Sequence, residues 1–137
     1  MAESSVARKT LSLLTLSVSF VAAHSIVLGI ILIAAPTWLL AIFGWSIECH
    51  KFFLQQAGVF HILLGSFYAI EFFAYHHIRM LLTAKVSAVL FLTAHCIWSV
   101  PQPGVLLSNC ADAGMAIIAV VLWLRSNHSR TARQFGR

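Results

Sequence analysis

Apolar residues gather into four long runs, at about 11–35, 52–74, 80–100 and 104–124, with short polar breaks between them. A helix needs about 20 mainly apolar residues to cross the hydrocarbon of a bilayer, and each run meets that length. Backbone in lipid must satisfy its own hydrogen bonds, so the pattern predicts four membrane helices. Pro36 and Pro101 close the first and third runs. The breaks are short, which makes consecutive helices antiparallel neighbours. The expected fold is therefore all-α, an up-down-up-down four-helix transmembrane bundle forming one domain over 1–125. A basic tail over 126–137 follows it.

Two segments depart from the length of a single span. The first run continues to Pro36, well beyond the roughly 7–15 apolar residues of a secretory leader, so it is expected to stay as a helix. The stretch from Trp38 to Trp45 is apolar but too short to span, and is expected to lie in the interface.

Composition agrees with the pattern. Of the 137 residues, 60% are hydrophobic and only 9% charged, against about 25% charged in soluble domains. The net charge of +5 would suggest nucleic acid if the basic residues formed a face. They flank the apolar runs instead. Arg8, Lys9, Arg79, Arg125, Arg130, Arg133 and Arg137 fall on one side of the expected bundle, and only Lys51 on the other. The positive-inside rule then places both termini in the cytoplasm and excludes a nucleic-acid partner. Trp38, Trp45 and Trp98 fall near the outer interface and Trp123 near the inner one, as aromatic belts do.

Ionisable groups within membrane helices are costly and usually face the bundle interior. Here they are His24, His61, Glu71, Lys85, His95 and Asp112. At about 1.5 Å per residue, His24, His61 and Asp112 lie roughly 12–15 Å from the outer surface on three different helices. His95, with Gln55 and Gln56, lies nearer the outer edge. Gly58, His61, Gly65 and Tyr68 share one helical stripe, whose small residues suit close helix contact. Three accounts of the His and Asp groups stand open at this point. One is an interhelical hydrogen-bond network, another a ligand pocket formed by His24, His61, His95, Asp112 and Gln56, and the third a haem site. Glu71 and Lys85 both fall toward the inner edge and are expected to form an ion pair between the second and third helices.

The remaining chemistry is sparse. His50, His76 and His77 fall in loops, where solvated imidazoles are the expectation. The three cysteines have no metal-ligand spacing, and no metal site is expected. Cys96 and Cys110 lie near the outer ends of adjacent helices, which leaves open a pairing in an oxidising compartment. No GxSxG, HExxH, P-loop or GxGxxG pattern is present, so no catalytic residue is expected.

A set of motifs over 29–124 adds a resemblance. It comprises Gly29 through Pro36, then Leu39 to Gly44, Phe52-Phe53, and Ala57-Gly58 leading through His61 to Gly65. With Lys85 and Asp112, this span resembles the DoxX-like group of small four-helix membrane proteins. Where such proteins often carry a basic residue before the glycine of the second helix, this chain has Gln55 and Gln56. The resemblance implies a four-helix bundle. Some members of that group are linked to quinone-coupled sulfur oxidation or act beside other membrane enzymes. A looser similarity runs to small four-helix scaffold proteins of sterol biosynthesis.

Two functions follow as expectations. The first is an accessory or scaffold subunit without catalysis of its own, embedded in the lipid bilayer beside a larger membrane protein or a second copy. It rests on the near absence of mass outside the membrane. The alternative is a binder of a small hydrophobic or redox ligand, such as a quinone, a lipid or haem, in a polar pocket in the outer half of the bundle.

Overall fold

The structure is a computed structural model that describes residues 2–44, 51–99 and 102–135, with side chains over 8–44, 51–99 and 102–127. It contains α1 (Ala2–Ala34), α2 (Pro36–Ile42), α3 (Lys51–Tyr75), α4 (Arg79–Trp98) and α5 (Pro103–Phe135). All four long helices are long and apolar enough to cross a membrane, the build of a multi-pass integral protein. Large apolar side chains cover the outside of the bundle, as lipid contact requires.

Proline sets the first boundary. Ala35 leaves helical geometry at φ −140°, and Pro36 opens α2 at a position where its missing N–H costs nothing. Gly44 then turns the chain with φ +73°, a conformation that glycine adopts without penalty. Trp45, Cys49 and His50 lie outside the described residues.

The α3–α4 connection is tighter. His76 takes the left-handed conformation at φ 55°, unusual for a residue with a Cβ. The His76 N–H donates to the Phe72 carbonyl at 3.0 Å, closing α3. Ile78 follows and is almost fully buried, anchoring the turn. Two N–H groups of the first turn of α4 find a partner across the turn. Arg79 N–H donates to Glu71 Oε1 at 3.1 Å, and Met80 N–H donates to Oε2 at 2.8 Å. A carboxylate at this point satisfies orphan donors and complements the positive end of the helix.

The four long helices form a square in the order α1, α3, α4, α5, with α5 returning to α1. The α1–α3 contact is the most extensive and the α3–α4 contact the thinnest. Small residues explain the first. A Cβ added to Gly29 would come within 2.5 Å of the Gly58 carbonyl oxygen, and one added to Gly65 within 2.7 Å of the Ala22 oxygen. Backbones this close exploit dispersion, which drives helix association in lipid. Gln55 extends the same antiparallel register by donating from Nε2 to the Ile33 carbonyl at 3.2 Å.

The interior divides along its length. At the α3–α4 turn end, Leu14, Val18, Val21, Ala22, Tyr68, Phe72, Ile78, Leu81 and Ala119 form a continuous core. At the α2 end the helices enclose a cavity instead. The fourth helix also runs on to Phe135 rather than ending near 124. No proline interrupts the chain beyond Pro103, and no glycine stands between Gly114 and Gly136, so nothing in that stretch forces a stop.

Candidate functional site

Each polar group of the site is placed by its helix. His24 sits roughly ten residues, about 15 Å, below the end of α1, and His61 is as deep below the start of α3. Asp112 is about 13 Å below the start of α5. On α4, Lys85 follows Leu81 by one turn. Both are buried, on the face of α4 that turns to the interior and to α5. These four side chains line one cavity of about 560 Å³. Leu28, Ala88, Phe91, Leu92, Leu107 and Ala111 supply its apolar wall, with Ser108 as a further hydroxyl.

The centre of the polar wall is an ion pair. Lys85 Nζ donates to Asp112 Oδ1 at 2.5 Å, with the two side chains only 8% and 18% exposed. This corrects the expected Glu71–Lys85 pair. Glu71 spends both oxygens on the amides that open α4, and Lys85 points across to α5. An isolated charge at this depth would be expensive, and each member of the pair removes that cost for the other. The next polar contact toward the α2 end joins the same two helices: Asn109 Nδ2 donates to Thr93 Oγ1 at 3.0 Å. The buried Oδ1 of Asn109 has no hydrogen-bond partner among the described residues.

The roof is Phe43, just past α2. It packs so closely on the start of α5 that a Cβ on Gly104 would meet its ring carbon at 2.7 Å. Phe43 also lines the cavity, so the α2 end is covered by an aromatic side chain.

Three of the five residues expected to form a pocket thus gather: His24, His61 and Asp112. His95 and Gln56 do not line the cavity, and both are exposed. Helical angle gives the reason. His95 is ten positions beyond Lys85, about 80° around α4, and Gln56 is five before His61, about 140° around α3. Reasoning from the sequence missed Lys85 as a cavity residue, and missed Phe43 and Phe91. Cys96 and Cys110 are free thiols, the first half-buried and the second exposed.

No family model, no curated protein and no solved structure matches the chain. The functional reading therefore rests on the chain's own side chains.

What this arrangement can do is bind. Small-molecule sites are mainly apolar clefts of about 300–1,000 Å³ with a few convergent polar groups, and this cavity has that form.

Proposed function

We propose that the protein is an intramembrane binding protein for a small lipid-soluble molecule with a polar head, held in the α2-end cavity. One observation carries the reading. Polar side chains from all four long helices, His24, His61 and the Lys85–Asp112 pair, converge on a single apolar-walled cavity. A plain interhelical network would fill the space between its members, as the opposite end of the bundle does.

A second reading, an accessory subunit of the DoxX-like kind, is favoured by α4. Its upper part presents Phe91, Ile97 and Trp98 to the outside, Trp98 at 83% exposure. A partner helix would cover such a face, and so would lipid.

The test is native mass spectrometry of the protein extracted from its own membrane in mild detergent, beside His61→Ala. The binding reading expects a discrete small-molecule mass on the wild type and its loss from the variant. A second protein at fixed stoichiometry, with no small-molecule mass, would instead establish the accessory subunit.

A further inference from the structure

The cavity's donors, charge balance and opening narrow the chemistry of what it holds. The inference rests on the binding reading above and deepens it.

The polar wall is rich in hydrogen-bond donors. The Lys85 ammonium has three N–H groups, and Asp112 accepts one of them. The two imidazoles each bring a ring nitrogen that can donate, and Ser108 brings a hydroxyl. A ligand head that accepts hydrogen bonds finds several partners here.

Charge decides what kind of acceptor. Lys85 and Asp112 already neutralise each other at the depth of the hydrocarbon. An anionic or cationic head would bring a net charge into a low-dielectric site with no counter-charge left to meet it. An uncharged oxygen, as in a carbonyl, ester or alcohol, takes the free N–H groups without that cost.

The opening decides the rest of the molecule. Phe43 covers the α2 end, and the packed core closes the other. The flank is different. Phe91 and Leu107 line the cavity while being 70% and 64% exposed, so each stands where the cavity meets the outside of the bundle. His24 is exposed too, and its ring lies 6.3 Å from that of Phe20, itself on the outer surface. Phe91 is about 10 Å below the end of α4 and His24 about 15 Å below the end of α1, levels that belong to hydrocarbon.

We infer that the cavity takes an amphiphile from within the bilayer, with an uncharged oxygen-bearing head against Lys85 and the histidines and an apolar tail leaving through the flank past Phe91. Access is sideways from lipid, and water-soluble molecules of the same head chemistry are poor ligands.

Three amphiphiles with one oleyl-length chain separate the head groups: monoolein, oleate and oleylamine. Each is titrated into the protein in phosphatidylcholine nanodiscs and bound copies are counted by native mass spectrometry. Monoolein is expected to bind about tenfold or more tighter than the two charged probes, whose heads find no counter-charge in the cavity. The double variant Lys85→Met, Asp112→Leu removes the charged donors without leaving a lone charge, and should weaken monoolein binding about tenfold, the size of a hydrogen bond to a charged donor, while keeping its helicity. Tighter binding of oleate or oleylamine, or a monoolein affinity unchanged in the double variant, would overturn the inference and leave the binding reading standing. If no probe binds while the protein still carries a small molecule from its own membrane, the head-group assignment is overturned alone. If no probe binds and no such molecule is carried, both readings fall.

Discussion

The two ends of the bundle are built from the same four helices and differ in what fills them. At the α3–α4 turn end, Leu81, Val18 and Ala119 are almost fully buried and the interior is apolar and continuous. At the α2 end, four polar side chains stand around a cavity of about 560 Å³. Lipid tails are as apolar as leucine, so a membrane bundle is held by packing and not by exclusion of water. A half that forgoes packing loses stability, and the packed half must hold the helices in register for both. The contrast teaches that the turn end specifies the fold and the α2 end is free to serve a ligand.

Breaking the ion pair should give the largest effect, because Lys85–Asp112 is the polar clasp between α4 and α5. Asp112→Ala leaves a buried ammonium without a partner and is expected to cost about 3–5 kcal/mol. Lys85→Met with Asp112→Leu should recover most of that loss. Reversible unfolding in mixed micelles measures both, and equal destabilisation by single and double variants would count against the clasp.

Next in size is truncation at the two ends. Leu81→Ala, at a side chain 1% exposed, should cost about 2–5 kcal/mol. Leu92→Ala faces the cavity and not a packed core, and should cost less than about 1 kcal/mol. Matching losses would mean the α2 end is as well packed as the turn end. Gly29→Ala tests the seam that joins the ends, since its Cβ would fall on the Gly58 carbonyl. A loss of about 1–3 kcal/mol is expected, with weakened α1–α3 contact visible in cross-linking. Milder than the losses at the packed end and the seam is Glu71→Gln, which keeps the shape and removes the charge that caps α4. Stability should fall by about 1 kcal/mol, and amide exchange should quicken at Arg79 and Met80.

Much of this contrast was legible in the residues. Four apolar runs, the first and third ended by Pro36 and Pro101, are enough for the bundle, because lipid leaves few alternatives to a helix of that length. The common depth of His24, His61 and Asp112 was readable from rise per residue alone. The partner of Lys85 was not. Counting along the hairpins brings Lys85 within reach of either Glu71 or Asp112, and only the rotation of α4 about its axis chooses between them. The roof was illegible for a related reason. Phe43 lies far from the cavity's other residues in sequence, and its place depends on α2 folding back over the bundle. His95 and Gln56 show the opposite error: both belong to the outer half of the bundle, but their helices turn them away from the cavity.

The central claim is that the α2 end is hollow because a molecule from the membrane occupies it. The most direct measurement is the thermal midpoint of the wild type and of Ala88→Phe, each before and after delipidation. Ala88 lines the cavity, so the added ring fills it from within. A ligand that binds only the folded state raises the midpoint, and its removal lowers it. The account predicts a clear fall for the wild type and little or none for Ala88→Phe. An equal fall in both would contradict it, because the stabilising lipid would then lie elsewhere than in the cavity.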